Sequence, residues 1–414
     1  MLKTSDVRFS ITVAASLILG SPPAFAQAPG PSQPPPVSSW TVMQDGVVYG
    51  MFNHQGGPRG GDELVVPNWW MGVMTRQAGR HTLGLNAMFS LDAATVGKAG
   101  YREIFQTGEA LDGQPIVDRQ HPHDFFMQLA ATWRLTFGSS AIVVSGGPSG
   151  EPTLGPVAFM HRPSAAGLVL APLGHHTFDA THVSFGVVAV AFERTTFGVE
   201  GSVFNGREPD DNRWDFDFGR LDSVAGRVWL RPKPGWEAQI STGHLREPEE
   251  LDPGDVQRTT TSLSWFRTAG RDFRAVTAGY GVNAAHGDLR HGAFGELTFI
   301  KGSTGWSGRL EVQQVETDVL LGHDDHHDEP ATVTALTLGA ERKLFEWRGF
   351  EGALTGHVTL YAVPGVLEPE YGNTPVSFQA LFRLRLPTGS MGRMWNARMS
   401  QGHVMPAGHV HKGP

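Results

Sequence analysis

From Trp40 onward the chain alternates apolar and polar side chains with a period of two, and helical spacing is scarce. In 197–203, Phe197, Val199, Gly201 and Val203 alternate with Gly198, Glu200 and Ser202. In 306–313, Trp306, Gly308, Leu310 and Val312 alternate with Ser307, Arg309, Glu311 and Gln313. In 377–386, Phe378, Ala380, Phe382, Leu384 and Leu386 alternate with Ser377, Gln379, Arg383 and Arg385, and Leu381 breaks the polar face. Successive strand residues point to opposite faces, so each segment predicts a strand with one apolar and one polar side. The segments 140–147 and 272–283 alternate poorly.

Strands are expected to begin near 42, 65, 81, 124, 140, 182, 196, 220, 236, 257, 272, 292, 305, 332, 350 and 376. Their connections alternate in length. Short ones fall near Ala78-Gly79, Gly138-Ser139, Arg194, 232–235, Ala269-Gly270, Gly302-Ser303 and Trp347-Arg348. Long ones fall at 54–64, 92–123, 148–181, 206–219, 246–256, 284–291, 317–331 and 363–375. This plan predicts an all-β fold: a transmembrane antiparallel up-and-down β-barrel of about 16 strands, with short periplasmic turns and long extracellular loops. Phe137, Phe192, Phe197, Trp236, Phe273, Trp306 and Trp347 lie near the short turns, where an interfacial aromatic girdle is expected. A propeller would carry a repeat of about 40–50 residues, and none is present. A sandwich gives no reason for long and short loops to alternate.

Composition agrees with this plan. Glycine is frequent, at 52 of 414 residues, and only 18% of residues are charged, as suits a wall with one face in lipid. The absence of cysteine excludes disulfide scaffolds, thiol catalysis and zinc–thiolate sites. A net charge of −8 argues against a nucleic-acid partner. Lys3 and Arg8, the apolar run Phe9 to Leu19 and Ala24-Phe25-Ala26 predict a cleaved signal peptide over 1–26. A Pro-rich linker (27–39), the barrel (40–387) and a Met/His-rich tail (388–414) on the periplasmic side follow.

Three segments carry a resemblance: the RQHPHDFF run from Arg119 to Phe126, GPVAFMHRPSA from Gly155 to Ala165, and FNGREPD from Phe204 to Asp210. They resemble an uncharacterised family of exported, porin-like proteobacterial proteins. The resemblance implies an outer-membrane β-barrel of a Gram-negative bacterium and carries no activity.

Charge and histidine concentrate in the long loops. Acids outnumber arginines by three in 206–219 and by four in 246–256, and 316–330 holds six acids without a base. Such a rim attracts cations and equally suits divalent bridging to lipopolysaccharide. His121-x-His123 in an extended segment has chelating spacing beside Asp124, and His175-His176 lies in the next long loop. His323, His326 and His327 interleave with aspartates, a mixture suited to zinc or copper. The tail adds Met391, Met394, Met399, Met405, His403, His409 and His411, soft and borderline donors that suit copper. A structural role for His121 and His123 within a folded-in loop, and a solvated tip at 323–328, remain the alternatives.

The expected function is passive passage of small solutes or ions through a porin-like channel, within outer-membrane lipid and with a homotrimer as the assembly open to it. Arg227, Glu237, Gln239, Arg309, Glu311, Arg383 and Arg385 are the expected pore lining. Loops 92–123 and 148–181 are expected to fold inward and narrow the path. A copper- or zinc-binding outer-membrane protein is the second reading. A rim hydrolase is the third, although no Gly-x-Ser-x-Gly nucleophile motif stands out.

Overall fold

The computed structural model describes residues 39–269, 272–322, 330–387 and 398–399. The predicted signal peptide, the linker up to residue 38, the His323–His327 tip and the tail apart from Arg398 and Met399 lie outside the described residues. The alternating segments form β1 (Thr41–Gln55), β2 (Gly61–Val65 continued by Asn68–Ala78), β3 (His81–Phe89), β4 (Phe126–Phe137), β5 (Ser140–Gly150) and β6 (Ser184–Arg194). Next come β7 (Phe197–Phe204), β8 (Ser223–Leu230), β9 (Trp236–Leu245), β10 (Val256–Ala269) and β11 (Asp272–Ala285). The wall is completed by β12 (Asp288–Lys301), β13 (Thr304–Val315), β14 (Ala331–Trp347), β15 (Phe350–Ala362) and β16 (Val376–Arg385).

The two pieces of β2 keep one register against β1, with Met51 opposite Val65 and Val48 opposite Asn68. They are one strand interrupted at Val66-Pro67, where proline has no N–H for the ladder. Every strand pairs antiparallel with the next, and β16 returns to β1, with Val47 opposite Arg385 and His54 opposite Phe378. A closed sixteen-stranded barrel results, which leaves the wall no free edge.

Burial is the inverse of a soluble protein. The apolar residues Val199, Val203, Trp306, Leu310, Val312, Phe378 and Phe382 are exposed, while Glu200, Ser202, Arg309, Glu311, Ser377 and Gln379 are buried. The outer face is thus a lipid-type surface and the polar face points inward. Leu381, the apolar intruder on the inner face, packs against Met51, Val65 and Tyr101, the last from an inward-folded loop.

Four expectations need correction. The long loop at 284–291 is a two-residue turn, His286-Gly287, with both residues at positive φ (54° and 92°), as a tight hairpin requires. Strands β11 and β12 run up to this turn, so His291 belongs to a strand; their last residues have no sharply buried face, which hid the alternation. The connection at 54–64 shrinks to 56–60, because β1 and β2 continue through it. Phe273 is buried and leaves the girdle, whereas Phe137, Phe192, Trp236, Trp306 and Trp347 stay exposed.

Loop 2 (90–125) and loop 3 (151–183) enter the lumen, as the sequence predicts. Loop 3 is bonded to the wall along its length. Thr153 N–H donates to Ser202 at 2.9 Å, Gly155 N–H to Ser241 at 2.9 Å and Gly167 N–H to Thr298 at 3.2 Å. Ser307 and His357 meet the Gly167 carbonyl at 3.2 and 2.6 Å, and Arg309 donates to the Leu170 carbonyl at 3.2 Å. Gly167 fits because a Cβ there would lie 2.9 Å from the Ser307 Cβ.

Candidate functional site: a filled lumen and a histidine cluster

All seven predicted pore residues face inward and all are buried. Each is held by loop chain or by a polar or charged neighbour. Arg227 pairs with Glu200 at 2.8 Å and donates to the Gly155 carbonyl at 3.1 Å. Arg309 pairs with Glu296 at 3.2 Å, its direct neighbour across β12 and β13. Arg383 lies 2.6 Å from both Glu341 and Glu351, and Arg385 lies 3.8 Å from Asp45. Glu237 lies 2.7 Å from Arg231, and Gln239 donates to Thr260 at 3.2 Å. Glu311 lines a small cavity beside Leu173 of loop 3. One cavity between loop 3 and these side chains, lined by Glu103, Leu170, Arg309, Glu311 and His357, measures about 20 Å³, room for one water.

The described piece of the tail also lies in the lumen. Arg398 pairs with Glu237 at 2.7 Å, and Met399 packs against Leu154, Phe204 and Leu245. Met399 is therefore an apolar packing residue here. It borders a small cavity shared with Met88, Met127, His161 and His182. The other tail candidates, Met391, Met394, His403, Met405, His409 and His411, lie outside the described residues, as do His323, His326 and His327.

The structure brings His121, His123, His175 and His176 together, and adds His182. Ring centroids are 5.8 Å apart for His121 and His175, 5.8 Å for His121 and His176, 5.4 Å for His175 and His182, and 5.6 Å for His123 and His182. Each Nδ1 is anchored: His121 on Glu109 at 3.1 Å, His123 on Asp92 at 2.8 Å, His175 on Asp179 at 2.8 Å, His176 on Glu208 at 3.0 Å and His182 on the Asp179 carbonyl at 2.8 Å. The short helix His175–Phe178 sets His175 and Asp179 one turn apart, which makes their contact local. Asp124, expected as a ligand, faces Arg213 at 3.4 Å, and Arg213 also bonds Glu109.

Sequence reasoning missed His182 and Arg213. The signal for His182 was its place three residues after Asp179. For Arg213 it was a base set among the acids of loop 4 (205–222), between Asp210-Asp211 and Asp215.

Burial decides the protonation of this cluster. Burial first, then Arg213, His175 and His176, pushes His121 well below the ordinary imidazole value. Burial likewise lowers His175, and burial with His175 and His123 pushes His182 down to about 3. For His176 burial is outweighed by Glu208, and its value rises. Burial would raise Asp179, but His175 and Arg162 hold it down at about 2. Burial lifts Asp124 to about 6 against Arg213.

The Nε2 atoms of His121, His123, His175 and His182 are buried and have no hydrogen-bond partner. No serine or threonine hydroxyl therefore sits on these four atoms. Among the described residues, three donor atoms converge within 4.8 Å only at Asp210, Asp215 and Asp217, on loop 4. The histidines adjoin in pairs.

No family model matches the chain, and no curated protein matches it. Solved structures do. OprB of Pseudomonas putida is similar at a TM-score of 0.53 and 8% identity, over 84% of this chain and 93% of that one. An anion-selective porin from Comamonas acidovorans matches at 0.49 and 11%, over 84% and 100%. A loop-deleted OmpT, an outer membrane protein of Vibrio cholerae, matches at 0.49 and 11%, over 84% and 99%. The fold of this chain is a closed sixteen-stranded antiparallel barrel, and the likeness to OprB is one of fold.

Proposed function

We propose that the chain is a porin-like outer-membrane channel for passive movement of ions or small polar solutes, with loops 2 and 3 as its constriction. The observation that supports this most is the inversion of polarity. The outer surface is an apolar belt, whereas the wall carries charged and hydrogen-bonding side chains on its inner face. A barrel of sixteen strands is too wide for side chains alone to fill; here loop segments fill it, and loops can shift. The acidic long-loop rim concentrates cations at the entrance and offers carboxylates for divalent bridging to lipopolysaccharide. Assembly as a homotrimer belongs to the same reading.

Planar-bilayer recording tests it. The folded protein is expected to give small, discrete conductance steps, which grow severalfold when residues 156–178 are replaced by a short Gly/Ser link. Absence of steps from both folded proteins would overturn the channel.

A further inference from the structure

We propose that His121, His123, His175 and His182 bind a first-row transition-metal dication, Zn²⁺ or Cu²⁺, where loops 2 and 3 meet. Four observations carry this. The first is tautomeric. Each of these four Nδ1 atoms faces a carboxylate or carbonyl oxygen within 3.1 Å. An oxygen acceptor at Nδ1 places the proton there and leaves a lone pair on Nε2. The second is that all four Nε2 atoms are buried with no donor to meet them. Buried polar atoms are nearly always satisfied, and each of these four lone pairs lacks a donor that would satisfy it.

The third observation is spacing. Two imidazoles bound through Nε2 to one tetrahedral ion, at a metal–nitrogen distance of about 2.0–2.1 Å, hold their ring centres roughly 5.3 Å apart. The pairs His175–His182, His123–His182 and His121–His175 stand slightly wider, at 5.4, 5.6 and 5.8 Å, and no three of their donor atoms lie within 4.8 Å of one another, so binding draws the rings inward. The fourth is the surrounding shell. Metal-bound imidazoles characteristically donate their other N–H to a carboxylate or backbone carbonyl, which fixes the ring and strengthens the ligand. Asp92, Glu109 and Asp179 supply that shell. With only nitrogen donors and no thiolate, the set selects zinc or copper over calcium or magnesium. The four ligands come from three stretches, 121–123 of loop 2 and residues 175 and 182 of loop 3, so the ion would tie the two loops together.

The test uses the full-length protein, folded in detergent, stripped with chelator, loaded with Zn²⁺ or Cu²⁺ and desalted. Retention of at least one equivalent is expected, with an imidazole nitrogen shell in X-ray absorption of the zinc form and nitrogen hyperfine structure in electron paramagnetic resonance of the copper form. The double variant H175A/H182A, checked as folded by its heat-modifiable migration, is expected to lose affinity by about tenfold or more. H286A and a deletion of 323–328 are expected to retain it. A wild-type protein that retains no metal, or shows an oxygen-only shell, overturns the proposal without recourse to any variant. So does retention by H175A/H182A, or loss on deleting the tip. None of these readings depends on conductance, so the site and the channel can fail separately.

Discussion

Arg162, carried into the lumen by loop 3, forms an ion pair with Glu296 on the inner face of β12, and the two side chains are 2% and 0% exposed. Ser164 donates to the same carboxylate at 2.7 Å, and Arg309 approaches it from β13 at 3.2 Å. One wall residue thus holds two loop residues and one wall residue. Replacing Glu296 by alanine takes a carboxylate from two buried guanidiniums, leaving Arg162 with Asp179 at 3.3 Å and Arg309 with the Leu170 carbonyl at 3.2 Å. Removing one partner of such a pair costs about 3–5 kcal/mol. E296A is therefore expected to lower the urea midpoint of the folded barrel and to raise its conductance, read by urea titration in lipid vesicles and by bilayer recording.

Gly155 sits at φ +82°, and a Cβ there would lie 2.1 Å from the Phe178 carbonyl oxygen. Alanine in a left-handed conformation costs about 1–2 kcal/mol before any clash is counted. G155A is expected to open loop 3 to limited proteolysis within 151–183 while the barrel keeps its heat-modifiable migration.

Acid is expected to loosen the same loop, and the sign follows from two depressed values. His182 falls from 6.5 to about 3, so its contribution is present above 6.5 and is lost as pH drops toward 3. Asp179 falls from 3.8 to about 2, so its contribution is lost later, between those values. Hydrogen exchange across 151–183 should therefore show protection declining from pH 6.5 downward. In H182N the decline should be shallower over the same range, because His175 and His121 are also held below 6.5.

The lipid face makes the opposite demand. Val190 lies midway along β6 and is exposed on the outer surface. An arginine at the bilayer midplane of such a wall costs about 2–4 kcal/mol and close to 0–1 near the interface. V190R is expected to destabilise the folded barrel by the larger amount and W347R by the smaller, as measured by unfolding in vesicles.

Much of the wall was legible because lipid and lumen impose opposite chemistry on successive residues. Val199 and Glu200 could not exchange places without burying a charge in hydrocarbon. That contrast fades where strands rise past the lipid, so 284–291 read as a loop although β11 and β12 continue through most of it. The two inward loops were legible from their length. Their partners were not, because Arg213 reaches Glu109 over a separation of 104 residues and no local pattern encodes such a contact. His175 and Asp179 were within reach of sequence reasoning, since one helical turn joins them. The pairing of His121 with His175 exists only once loop 2 lies on loop 3.

The anchoring of loop 3 also orders assembly. Its contacts begin on β7 with Ser202 and reach β15 with His357. The loop emerges from the chain before any of these strands exists. It completes these contacts only when β15 is in place, so the filling of the lumen depends on strands far downstream of the loop itself.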